Sequence, residues 1–176
     1  WRSPERLRDE LRDFLGAIPI EKVAVTMTGE LCDCFATKEE GVGHILDAIA
    51  AAVGSATAVH VWQAHGCFVS PEEARRDPWG TAAGNWMAQA TYAARFCTTG
   101  SALLIDIGST TTDIIPIVEG RPNPSGRTDP DRLASGELVY AGVVRTPVCA
   151  LCEYLSVDHQ KYRTMAEMFA TTFDAF

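Results

Sequence analysis

Residues 102–118 read ALLIDIGSTTTDIIPIV, two β-branched-rich runs on either side of a short turn of glycine, serine and threonine. Two such runs around so short a turn predict an antiparallel hairpin. The tip concentrates chemistry that the flanking runs lack. Asp106 and Asp113 bracket Gly108, Ser109, Thr110, Thr111 and Thr112. A glycine lets the backbone approach a ligand closely, and successive N–H groups in such a turn can form a nest for an anion. The hydroxyls add donors, and hard carboxylate oxygens suit magnesium. We therefore expect a phosphate-and-metal loop, with Gly108 to Thr112 as phosphate contacts and Asp106 and Asp113 as metal ligands. The same residues would also make a plain polar hairpin tip.

Composition narrows what such a loop can serve. The chain has 176 residues, enough for one large or two small domains, and its formal net charge is −8. A surface of that sign argues against nucleic acid as a partner. No apolar run reaches the roughly 20 residues that a bilayer span requires, so no membrane partner is expected. The six cysteines, Cys32, Cys34, Cys67, Cys97, Cys149 and Cys152, are scattered. That scatter favours reduced, buried thiols and a cytoplasmic location over a disulfide framework. A first residue other than Met, inside a charged helix entry, and an end that reads as mid-element predict a piece of a longer polypeptide.

Periodicity predicts the other elements. Pro4 opens a helix over 4–16, with Leu7, Leu11, Phe14 and Leu15 on one face. Residues 21–27 read as a buried strand that ends in a turn at Thr28-Gly29-Glu30. Thr37 is placed to cap a helix running to Val53. Short strands are expected at 59–62 and 67–69, and a short helix after Ser70-Pro71. One long helix is expected from Trp79 to Phe96, with Ala83 and Trp86 facing inward. Beyond the hairpin, Glu119-Gly120 reads as a turn, 122–130 as loop and 137–144 as a third strand. Residues 146–155 are ambiguous, and 164–176 read weakly as helix. Strands alternating with helices predict a mixed α/β fold.

The hairpin resembles the phosphate-binding hairpins of the superfamily of acetate and sugar kinases, heat-shock ATPases and actin. Longer pieces sharpen the likeness: AVTMTGELCDCFATKEEGV, AAGNW, GRTDPDRL, GELVYAGVVRTPVCAL and AEMFATT. Together they resemble the hydantoinase A/oxoprolinase-related family, in its branch tied to tetrahydromethanopterin-linked one-carbon transfer. The resemblance implies a ribonuclease H-like, actin-like fold of two similar halves. Residues 1–100 would be the remainder of the first half, lacking its own phosphate hairpin, and 101–176 the start of the second. It also implies an enzyme of methanofuran or tetrahydromethanopterin biosynthesis. That enzyme would join a diphosphate-activated furan to a glutamyltyramine-like phenol and release diphosphate.

The same parts suit other phosphate chemistry. An ATP-dependent small-molecule kinase, a hydantoinase- or oxoprolinase-type hydrolase, and a non-catalytic actin-like nucleotide-binding protein all remain open. Magnesium is the expected cofactor, joined by ATP in the kinase and hydrolase readings, and the expected partner is a phosphorylated or diphosphorylated small molecule. Asp106 or Glu30 would be the base that takes the phenol proton. Lys38 would grip phosphate, and Asn85 and Arg127 would contact substrate, Arg127 through a carboxylate. Each has a plainer alternative: a helix start for Glu30, solvation for Lys38, helix packing for Asn85, loop formation for Arg127. Cys32-x-Cys34 with Cys149-x-x-Cys152 would be a zinc set if the pairs met. His65 follows a strand end, and Arg145 follows the third predicted strand.

Overall fold

A computed structural model describes residues 3–16, 19–167 and 171–174. The chain is mixed α/β and divides into two compact units, 1–92 and 93–176.

In the first unit a 3-10 turn at Pro4–Arg6 leads into α1 (Leu7–Leu15). Strand β1 (Lys22–Val25) pairs in parallel with β2 (Ala58–Gln63), in a register that sets Val25 beside Val61. Helix α2 (Lys38–Val53) connects them, as a parallel pair requires. Thr37 starts that helix as anticipated: its hydroxyl accepts from the Glu40 N–H at 3.1 Å. Strand β3 (Cys67–Val69) then runs antiparallel to β2. The core lies between α2 and the strands. Val42, Ile45, Leu46 and Ile49 from the helix meet Val25 and Val61 from the sheet. Ser70 opens α3 (Pro71–Arg76) with a full capping box, its hydroxyl accepting from Glu73 N–H while the Glu73 carboxylate accepts from Ser70 N–H.

The long helix expected over 79–96 is broken. It is replaced by α4 (Pro78–Thr81), α5 (Asn85–Ala93) and a 3-10 turn at Ala94–Phe96. Between α4 and α5, Ala83 takes φ 49°, a left-handed conformation that no continuous helix allows. Helical spacing of small residues carries no sign of such a break.

In the second unit, β4 (Ser101–Ile107) and β5 (Thr112–Val118) form the anticipated hairpin, with Asp106 directly opposite Asp113. One face buries Ile115 and Ile117, while Leu103, Ile105 and Ile107 are exposed on the other. Glu119-Gly120 turns the chain into β6 (Arg121–Pro122). Residues 122–130 are not all loop: Thr128 caps α6 (Asp129–Ser135). The third strand is only β7 (Leu138–Val139), paired with Thr112 and Asp113. Residues 140–146 leave the sheet. Helix α7 (Val148–Leu151) and the hairpin β8 (Tyr154–Val157) with β9 (Gln160–Arg163) follow. The weak helix expected over 164–176 is absent from 164–167, and Thr172–Asp174 form a 3-10 turn. The remainder of that expectation lies outside the described residues.

Candidate functional site

The hairpin tip is shaped by what its carbonyls do. Inside the turn, Gly108 N–H donates to Thr111 C=O at 2.8 Å. The segment after β7 then closes on it from outside. Val143 N–H donates to Gly108 C=O at 3.1 Å, and Val144 and Arg145 N–H donate to Ser109 C=O at 3.1 and 2.8 Å. Thr112 lends its hydroxyl to Ala141 C=O at 2.6 Å, so it braces the tip. Gly142 lies so close that a Cβ there would sit 2.5 Å from Thr110 N and 2.6 Å from Gly108 O. Ser109 and Thr110 stay exposed, with Thr111 half-buried.

The two carboxylates flanking the turn are not equivalent. Cross-strand neighbours carry their Cβ atoms about 5 Å apart, so two like charges there repel. Asp113 is relieved by Arg132 of α6, whose guanidinium lies 2.6 Å from its Oδ1. Arg132 is 1 % exposed and also donates to Glu137 C=O at 3.2 Å. Asp106 is half-buried on β4, across from this pair. Asp113 thus has one oxygen committed to a buried cation. A magnesium ion usually takes one or two protein carboxylates and keeps waters elsewhere. Asp106 with the tip hydroxyls offers that kind of donor set.

Glu137 supports the loop that precedes α6. Its carboxylate accepts from the N–H groups of Ser125 and Gly126 at 2.6 and 2.9 Å and from the Ser135 hydroxyl at 3.1 Å. Burial pushes its carboxyl upward, but these donors together outweigh burial and hold it below the usual carboxylate value. Arg127 follows Gly126 in this loop and is exposed, as is Arg145; neither makes an ion pair among the described residues.

Glu30, Lys38, Asn85 and His65 lie in the first unit. Glu30 is 2 % exposed, in a 3-10 turn at Gly29–Leu31, and its Oε1 accepts from Ala83 N–H at 2.6 Å. Gly41 of α2 packs against it, with room for no side chain: a Cβ would sit 2.7 Å from Glu30 Cα. The ammonium of Lys38 lies 5.0 Å from the ring centre of Trp79, a cation–π contact. Asn85 is half-buried at the first position of α5. His65 follows β2, its Nε2 3.5 Å from the Asp77 carboxylate. All six cysteines are free thiols, and none is buried as expected: Cys34 and Cys67 are exposed and the others half-buried. No cluster of three metal-ligating side chains occurs among the described residues.

Sequence comparison adds an independent line. The profile of the hydantoinase/oxoprolinase family matches residues 21–175. The chain belongs to this family. It is 38 % identical over 174 residues to (4-{4-[2-(gamma-L-glutamylamino)ethyl]phenoxymethyl}furan-2-yl)methanamine synthase of Methanocaldococcus jannaschii, covering 99 % of this chain and 51 % of that protein. It is 43 % identical over 74 residues to the synthase of the same name from Methanococcus vannielii, covering 42 % of this chain and 33 % of that protein. The chain therefore spans at most about half the length of these relatives.

In this hydantoinase/oxoprolinase chain, three residues at the tip escaped sequence reading. Arg132 sits in DPDRLASG, a polar stretch that begins in the segment read as loop. Its burial depends on Asp113, 19 positions away. Gly142 and Thr146 lie in AGVVRTP, where Val143 and Val144 imitate a strand. The available signal was Thr-Asp-Pro at 128–130, a capping residue before an acidic first turn, which marks α6 and so places Arg132 on a helix.

Proposed function

We propose that the chain is part of an enzyme of one-carbon-carrier cofactor biosynthesis that handles a diphosphate. In this reading a diphosphate-activated furan is condensed with a glutamyltyramine-like phenol, and diphosphate leaves. The observation that carries the proposal is the turn at 108–111. Its Gly108, Ser109 and Thr111 carbonyls are taken up inside the protein, while Ser109 and Thr110 remain exposed. Extensive identity to synthases whose names describe such a phenoxymethylfuran product supports it.

The residues divide the work as follows. Donors at Ser109, Thr110 and Thr111 face the charge that develops on the leaving diphosphate as the C–O bond breaks. Arg127 is an exposed cation available to a glutamyl carboxylate. A phenol of pKa about 10 attacks well only once its proton is taken. We assign that step to Asp106, because Glu30 is 2 % exposed and its carboxylate supports the Ala83 backbone. Magnesium, when bound, would be held by Asp106 and the tip hydroxyls and would neutralise phosphate charge. A ribonuclease H-like, actin-like arrangement of two similar halves belongs to the same proposal.

A second reading is ATP-dependent hydrolysis or phosphoryl transfer; the family match favours its hydrolase form, of the hydantoinase or oxoprolinase type. The protein as its gene encodes it, given magnesium, an aminomethylfuran diphosphate and γ-glutamyltyramine, should release diphosphate in step with ether formation. ADP release from ATP, stimulated by a small-molecule substrate and without ether product, would transfer the case to the second reading.

A further inference from the structure

The segment Ala141–Thr146 is bonded to the tip more heavily than a passing loop requires, and the direction of those bonds has a consequence. In a trans peptide the N–H points opposite to the C=O of the same unit, and the described residues contain no cis bond. Gly108 C=O points to Val143, so Ser109 N–H points away from the segment. Ser109 C=O points to Val144 and Arg145, so Thr110 N–H does the same. Neither N–H meets an acceptor among the described residues. We infer that Ala141–Thr146 is a clamp that sets these two peptide planes, and that Gly142 and Thr146 are positioning residues for a two-donor anion nest at Ser109 and Thr110. The inference rests on the phosphate reading above and names the backbone groups that would do the binding.

The clamp is itself held rigidly. Thr146 is 4 % exposed, and its hydroxyl both accepts from Gly142 N–H at 2.7 Å and donates to Gly142 C=O at 3.1 Å. Thr172 adds a second hydroxyl to the same carbonyl at 3.0 Å. Thr172 and Phe173 N–H donate to Thr146 and Val144 C=O at 2.9 and 3.2 Å. A nest binds anions well only when its N–H groups converge before the ligand arrives, since ordering them afterwards costs affinity. Gly142 is the closest point of the clamp, where a methyl group would press on the Ser109–Thr110 peptide.

The test uses magnesium pyrophosphate as probe, with calorimetric titration and amide chemical shifts, on the protein as its gene encodes it. The wild type should bind, with the largest shifts at Ser109 and Thr110. Gly142→Ala and Thr146→Val should each weaken binding on the order of tenfold or more, the cost of one misaligned charge-assisted bond. Thr146→Ser, which keeps the hydroxyl, should restore it. Should Gly142→Ala fail to fold, the Thr146 pair decides alone. A wild type that does not bind pyrophosphate removes the phosphate reading and this inference together. Binding that shifts other amides, or that survives both variants unchanged, overturns the clamp while leaving the phosphate reading standing.

Discussion

Arg132 is the residue on which the tip's electrostatics turn. It is buried, carries a full charge and lies 2.6 Å from Asp113. Removing one partner of a buried pair leaves the other charge uncompensated, which costs about 3–5 kcal/mol. Arg132→Met should therefore lower the urea midpoint by that equivalent. The double variant Arg132→Met/Asp113→Leu, which removes both charges, should recover much of the loss. Asp106 is predicted to behave differently. Asp106→Asn should leave the urea midpoint close to wild type while slowing diphosphate release about a hundredfold or more, the usual range for a lost acid–base group. A variant that loses stability and activity in parallel would mark Asp106 as a structural residue.

At the scale of elements, the first unit contains a local conflict that mutation can expose. Ala83 sits at φ 49° between α4 and α5, held there by the buried Glu30 carboxylate. A left-handed alanine costs about 1 kcal/mol or more, and glycine avoids that cost but loses more chain entropy on folding. Ala83→Gly should raise stability by a few tenths to about 1 kcal/mol, read from the denaturation midpoint. Most elements whose signals are local are legible in the sequence, α6 with its Thr128 cap being the exception. Thr37 and Ser70 announce their helices because a cap acts on N–H groups two or three residues away. The β4–β5 hairpin is legible for the same reason, since turn and register lie within one short stretch. The break at Ala83 and the departure of 140–146 from the sheet are not. Each is imposed by groups far along the chain: Glu30 in one case, and Gly108 and Ser109 in the other.

For the molecule as a whole, acid is the informative perturbation, because the chain carries 23 acidic against 15 basic side chains. Glu137 is held below its ordinary value of 4.5 by the N–H groups and hydroxyls around it, against the opposing effect of burial. A carboxyl with a depressed folded-state value binds its proton more readily when unfolded. Its contribution is complete above about pH 4.5 and is lost as pH falls through the folded value. Glu137→Gln should cost about 1.5–3 kcal/mol at pH 7, the worth of hydrogen bonds to a charged group. It should also flatten the fall in stability below pH 4.5, as followed by circular dichroism across pH. If wild type and variant lose stability in parallel there, the network around Glu137 contributes nothing to acid sensitivity.

The amino-acid order alone determined the hairpin, its chemically dense tip, the helices capped by Thr37 and Ser70, and the family. These depend on contacts between near neighbours or on long stretches of identity. Tertiary structure alone decided that Asp113 is paired with a buried arginine, that Glu30 supports a backbone turn, and that a valine-rich stretch grips the tip instead of extending the sheet. In those cases a side chain's role was set by the groups that remove it from water or meet its hydrogen bonds, and these lie many positions away along the chain.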